Sequence, residues 1–479
     1  MPDASAGWLR PALIVVGAVT ALRVLALAFN QTDLFVDEAQ YWFWGRNLDF
    51  GYYSKPPLIA WVIRAFTEVL GDSRFAIRLP AALFHAATAL ILAALAARIH
   101  SGRAALWVAA SYVTLPFVAL GSLLISTDTI LAPFFAAGLL WWWRATQENR
   151  ASLALAAGVM VGLAALAKYA AIYFFPCAVL AAVLAAPMRG NLRLWLMLVV
   201  GFGVTVLPNV IWNLTHDLST VEHTMDNVGW VREATGPSLD LASLAEFFGA
   251  QFAVFGPVLF AALLWACAQP RPATRRALLA FAFPILLVVC VQALMDRAYA
   301  NWAVVAYYAG TLVAVPFLLE RAPRLLSVSL VLNTAIAILL PALTVLAPWP
   351  VRDGQPLLQR YLGQARLSEQ ILEAARRSGV TTVLAKDRAI LADLFYTGRE
   401  AGLAIRAARP AGRPRNYYEQ NFAIGIGDNG PVLAVLPAAP TCDGFEQMPL
   451  GKLDTRIGAW HKTRLSTYLI GADCARALR

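Results

Sequence analysis

Asp37 and Glu38 stand side by side in FVDEAQYWFWGRNLDFGYYSKPPLIAWV, and Lys55 follows in the same stretch, just ahead of two prolines. The stretch succeeds an apolar segment long enough to cross a bilayer. A carboxylate and an ammonium at one lipid–water boundary suit a reaction that expels a phosphate from a lipid carrier. Phosphoryl oxygens need cationic donors as charge develops on the leaving group, and an attacking hydroxyl needs a base. Simpler roles also fit the same residues: Asp37 suits a helix N-cap, and the surrounding aromatics suit anchoring at the interface. Neither role accounts for Lys55.

Further along, Asp128 lies in STDTILAPFF, where it could orient hydroxyl groups or cap the helix that follows. His216, Asp217, Glu222, His223 and Asp226 form a polar cluster. Its spacing is not that of HExxH and does not put the two histidines on adjacent helical turns. The cluster therefore reads as polar lining of a cavity, and neither a metal nor another cofactor is expected. His85 and His100 read as structural or interfacial. Arg23, inside the first apolar run, must face protein rather than lipid.

The elements that position these residues are set by composition. The chain has 479 residues, 59% of them hydrophobic and 14% charged, with 15 tryptophans, whereas a soluble chain carries roughly a quarter charged residues. This is the composition of a polytopic membrane protein. The formal charge of +10 fits basic loops and contact with anionic membrane lipids. Nucleic acid is not expected as a partner, because the basic residues come in small groups between apolar runs.

Apolar runs of about 17–24 residues, each able to cross ~30 Å of hydrocarbon, lie near 8–29, 80–99, 104–123, 129–143, 151–168, 170–187, 194–214, 244–268, 277–295, 302–319 and 325–348. Arg98 with Arg103, Arg144 with Arg150, Arg189 with Arg193, Arg271 with Arg275 and Arg276, and Arg321 with Arg324 occupy every second loop. The positive-inside rule makes those loops cytoplasmic, with the N-terminus inside as an uncleaved first span. The acidic and histidine-bearing loops then face the periplasm. An odd number of spans exports the C-terminal part as well.

The expected fold is mainly α, a polytopic membrane protein of about eleven transmembrane helices, with a small α/β periplasmic domain at its C-terminus. The division is 1–348, including a periplasmic loop over 30–79, and 349–479. In the loop, EAQYWFWGRNL and PPLIAWVIRAFTEVL read as short helices lying in the interface. In the C-terminal part, SEQILEAARRSG and RAILADLFYTG read as helices, and VTTVLA, PVLAVLP and STYLIG as strands. Of the five cysteines, Cys177, Cys267 and Cys290 lie in apolar runs. Cys442 and Cys474 are candidates for a disulfide if the C-terminal part is exported.

Several motifs carry a resemblance. DEAQYW, GYYSKPPLIAW and RLP resemble the first periplasmic loop of membrane glycosyltransferases with the GT-C fold. The likeness is to the bacterial branch of the protein O-mannosyltransferase family and to the aminoarabinose transferases acting on lipid A. STDTILAPFFAAGLLWWW, GLAALAKYAAIYFFP, LPNVIWNLTHDLSTVEH and DRAYANWAVVAYY continue it in order. The resemblance implies a transferase taking a hexosyl or pentosyl group from a polyprenyl-phosphate donor. It places Asp37 in the catalytic role, with Glu38 as a helper and Asp128 orienting hydroxyls. Lys55 would hold the donor phosphate, with Arg74, Arg78 and Lys168 as partners. Tyr52, Tyr53, Ser126, Tyr169, His216, Asp217 and Asn301 would line the substrate site. The acceptor would be lipid A, lipopolysaccharide core or another glycan at the bacterial inner membrane. A protein acceptor is the alternative, and a polytopic lipid or sugar transporter is the reading from another class.

Overall fold

Each of the apolar runs is helical in the computed structural model, which describes residues 7–227, 239–270, 272–442 and 448–478. Met1–Ala6, ahead of the first run, and Arg271 among the loop arginines lie outside the described residues. Among the described residues, five helices are long and apolar enough to cross a membrane: Leu9–Ala28, Arg74–Ile99, Leu192–Thr215, Ala273–Met295 and Pro323–Leu346. Several of the runs expected to be single rods are interrupted. The run at 244–268 is two helices, Leu241–Val254 and Pro257–Ala268, bent by 111°. The bend lies at Gly256, whose φ of +86° favours a residue without Cβ. The run at 104–123 stops at Thr114 and restarts at Pro116, because the residue before a proline is pushed out of the helical region.

The chain divides into two compact units. One comprises Met1–Ala28, Asp49–Val62 and Arg78–Pro341; the other comprises Phe29–Leu48, Ile63–Ile77 and Ala342–Arg479. In the first, the helices Ala151–Ala167 and Leu192–Thr215 cross at two glycines. A Cβ on Gly158 would lie 2.1 Å from the carbonyl oxygen of Leu198, and one on Gly201 would lie 2.3 Å from that of Leu155. Backbones approach this closely only where small residues allow it. The opposite face of Leu192–Thr215 leaves Val204 and Leu214 about 70% exposed, as suits contact with lipid tails. Polar groups are turned inward instead. Arg23 is fully buried and donates to the Val113 carbonyl, His85 contacts the Tyr112 hydroxyl, and His100 contacts the Leu312 carbonyl.

The second unit is built on a sheet. A hairpin of β1 (Val351–Arg352) and β2 (Gln355–Pro356) precedes five strands: β3 (Thr382–Ala385), β4 (Ala404–Ala407), β5 (Val432–Leu436), β6 (Met448–Lys452) and β7 (Ser466–Ile470). The order is β4-β3-β5-β7-β6. β3 runs parallel to both β4 and β5, while β7 is antiparallel to β5 and β6. β3 and β5 are buried along their whole length, and their sequences, apart from Thr382, are apolar rather than alternating. The helix Gln364–Ser378 ends at Gly379, in the left-handed region at φ +68°. Cys442 and Cys474 form a disulfide.

The aromatics of the first loop have a different use from interfacial anchoring. The helix Val36–Gly45 buries Tyr41, Trp42 and Trp44 within this second unit. Trp42 meets Tyr396 edge-on at 5.0 Å, and Phe43 lies 4.4 Å from Phe395 and 5.4 Å from Phe422. Each such pair contributes about 0.5–1.5 kcal/mol beyond its buried area. The Trp42 indole N–H donates to Asp72 Oδ1 at 2.7 Å, and the Tyr396 hydroxyl donates to the Asp72 carbonyl at 2.9 Å. These rings are core residues of the unit.

Asp393, on the inward face of the helix Arg388–Thr397, is buried. Burial raises its carboxyl to about 6; hydrogen bonds from Ser368 and Thr397 and the charge of Arg74 oppose the shift, and Asp33 adds to it. A folded-state value above the ordinary carboxylate value favours the protonated form. The associated stability is full below about pH 4 and is lost as pH rises through about 6, on the order of 2–3 kcal/mol. Asp393→Asn should remove that slope. Thermal midpoints of wild type and variant across pH 4–7 check it: parallel curves would mean Asp393 is not the source.

Candidate active site

The first unit gathers four of the sequence motifs. Ser126 caps the helix Thr127–Glu148, accepting from the Thr129 N–H, so the capping role considered for Asp128 belongs to its neighbour. Asp128 sits in the first turn, where a carboxylate is favoured by the helix dipole. Its Oδ1 accepts from the Lys168 ammonium at 2.7 Å and its Oδ2 from the Asn301 amide at 2.9 Å. Lys168 stands at the break between Ala151–Ala167 and the 3-10 turn Tyr169–Tyr173, and Asn301 lies in the 3-10 turn Ala300–Ala303. Residues distant in sequence thus close on one carboxylate. The Lys168 charge proposed for a phosphate is met here by Asp128.

Next to Lys168, the Tyr169 hydroxyl donates to Asn209 Oδ1 at 2.9 Å and accepts from the Asn213 amide at 3.1 Å. The Asn209 amide donates to the Phe50 carbonyl at 2.6 Å, and the Thr220 hydroxyl to the Tyr52 carbonyl at 2.6 Å. Gly51 lies against the Trp212 ring, which a Cβ would strike at 2.2 Å. Tyr53 packs on His223 at 4.9 Å. The GYYSK segment is therefore docked on the PNVIWN helix end and on Tyr169. Lys55, half-buried, closes a turn in which its carbonyl accepts from the Tyr52 N–H at 3.2 Å. That turn precedes the helix Leu58–Leu70, and Arg78 is buried in the helix Arg74–Ile99. His216 stacks on Trp212 at 4.2 Å, in an exposed turn where Asp217 has φ +54°. Among the described residues, no three His, Cys, Asp or Glu side chains converge as metal ligands would.

In the second unit, the helix Val36–Gly45 begins with Phe35 as its N-cap. Glu38, fully buried, accepts from the Phe35 N–H at 2.9 Å and closes the helix start. Asp37 is not the cap. Its Oδ1 faces Arg388, whose Nη2 donates to it at 2.5 Å, and Arg388 Nε donates to Gln40 Oε1 at 2.9 Å. Burial opposes the Arg388 charge, but Asp37 outweighs it and holds the guanidinium above the ordinary arginine range. Arg74 pairs with Asp33 at 3.1 Å and donates to the Thr32 carbonyl. Gln40 and Arg388 went unread in the sequence. The available signal was a cation directly after the capping Asp387, a place where the helix dipole disfavours it.

Residues 54–212 match the family described as dolichyl-phosphate-mannose-protein mannosyltransferase. Lipid A galacturonosyltransferase RgtD of Rhizobium johnstonii is 41% identical over 471 residues, covering 97% of this chain and 99% of that protein. The chain belongs to the family of lipid A galacturonosyltransferase RgtD. The family resemblance read from the motifs is thereby borne out, and the protein is a membrane glycosyltransferase. The fold is likewise that of ArnT from Cupriavidus metallidurans. Its apo structure aligns with TM-score 0.63 at 15% identity, over 98% of this chain and 99% of that one. Its structure bound to undecaprenyl phosphate aligns with TM-score 0.63 at 16% identity, over 97% and 98%. The GT-C architecture, with a small C-terminal sheet region, thus accompanies membership of the RgtD family.

Proposed function

We propose that this RgtD relative transfers a galacturonosyl group, a hexuronosyl unit, from a polyprenyl-phosphate donor to lipid A at the periplasmic face of a bacterial inner membrane. The end-to-end 41% identity with RgtD carries the proposal. Lys55 stabilises charge on the departing phosphate, so no cofactor is required. Asp37 serves the acceptor, by taking its proton or by orienting it. Asp128, with Lys168 and Asn301 fixing both its oxygens, presents a rigid polar surface to sugar hydroxyls. Glu38 supports the helix that carries Asp37.

Eleven spans, a cytoplasmic N-terminus and a periplasmic second unit complete the proposal. The alternating arginine loops support this orientation. The Cys442–Cys474 disulfide also supports it, since such bonds persist in oxidising compartments. The test is transfer in sealed vesicles of known sidedness, with polyprenyl-phosphate galacturonate as donor and lipid A supplied to the outer face. Lipid A should gain one hexuronic acid in right-side-out vesicles and not in inverted ones, with or without chelator. Modification only in inverted vesicles would overturn the orientation. Transfer to a serine-containing peptide but not to lipid A would favour the protein acceptor instead.

A further inference from the structure

We propose that Arg388 is a positioning residue for Asp37, gripping one carboxylate oxygen so that the other is presented to the acceptor. The inference rests on the assignment of Asp37 to the acceptor. Arg388 makes two bonds to one helix face, to Asp37 Oδ1 and to Gln40 Oε1, three residues apart on Val36–Gly45. Residues at this spacing are neighbours on a helix, and the planar guanidinium spans them with a fixed geometry that an ammonium lacks. Gln40 is fully buried whereas the Asp37 side chain is 41% exposed. The guanidinium is thus anchored inside and reaches outward. Asp37 Oδ2 has no hydrogen bond among the described residues.

The placement of Arg388 works against its own helix. It is the first residue of Arg388–Thr397, behind Asp387, which accepts from the Ala389 and Ile390 N–H groups. A cation in the first turn opposes the helix dipole. Such a local conflict marks a site where function outranks stability. Besides Asp37, Tyr41 and Tyr418 also act on the Arg388 charge. The segment after Ala342 thereby contributes directly to the catalytic apparatus.

The test uses the full-length protein in the lipid A transfer assay, with Arg388→Ala, Arg388→Lys and Gln40→Leu. Arg388→Ala should lower kcat roughly tenfold to a hundredfold, the loss expected from a slightly misplaced group, with donor KM unchanged. Free guanidinium at sub-denaturing concentration should restore part of that loss. Arg388→Lys should recover little, since a point charge cannot hold both partners. Gln40→Leu should lower kcat in the same direction but less. Wild-type kcat in Arg388→Ala overturns the proposal. So does a loss that guanidinium does not relieve while the thermal midpoint falls, because that pattern is purely structural. If Asp37→Asn and Asp37→Ala both match wild type, the underlying assignment of Asp37 fails, whatever Arg388 does.

Discussion

Asp37→Asn should be as inactive as Asp37→Ala if the acceptor is a hydroxyl, with transfer reduced by about 10²–10⁴-fold, the contribution of a positioned general base. Asparagine keeps the shape and one acceptor oxygen for Arg388 but cannot take a proton. A phosphate group on lipid A is already ionised at neutral pH and needs no base. With that acceptor, Asp37→Asn should retain measurable activity while Asp37→Ala, which also releases Arg388, should not. The comparison is made with polyprenyl-linked donor and extracted lipid A, at matched amounts of folded protein. Wild-type rates in both variants would leave Asp37 without a part in the chemistry.

Lys55→Ala should lower kcat by about 10²–10³-fold, or roughly 2.7–4 kcal/mol, as for a deleted donor to a developing oxyanion. The turn is held by the Lys55 carbonyl on the Tyr52 N–H and by Thr220 on the Tyr52 carbonyl, neither of which needs the lysine side chain. Lys55→Arg should keep part of the activity, since charge survives while geometry changes. Turnover close to wild type in Lys55→Ala with saturating donor would remove Lys55 from the phosphate role.

The helical runs and the buried strands were legible because burial writes itself into composition: β5 is apolar throughout, β3 is apolar apart from Thr382, and both lie inside the sheet. The bend at Gly256 was not, since a glycine within an apolar run is compatible with a straight helix until φ is known. The capping residues were misplaced by two positions. Aspartate is a favoured cap, and the sequence offers Asp37 and Asp128, but Phe35 and Ser126 take those places. The carboxylates were thereby left for ion pairs. The meeting of GYYSK with PNVIWN could only be suspected from shared motifs, because the bonds between Asn209 and Phe50 join residues 159 positions apart. Arg388 shows locally only as a cation misplaced behind Asp387; its pairing with Asp37 was out of reach, since 351 positions separate them.

The second unit takes two of its three pieces from the first 77 residues and the third from Ala342 onward. During synthesis at roughly 5–20 residues per second, the early pieces wait on the order of a quarter of a minute to a minute before the third begins to emerge. Throughout that interval Trp42 and Phe43 lack Tyr396, Phe395 and Phe422 as neighbours. Asp37 likewise has no Arg388 until the ribosome has added 351 further residues. The enzyme is born without its second unit, and a nascent chain that stops early holds Asp37 on a helix whose aromatic faces have nothing to cover them.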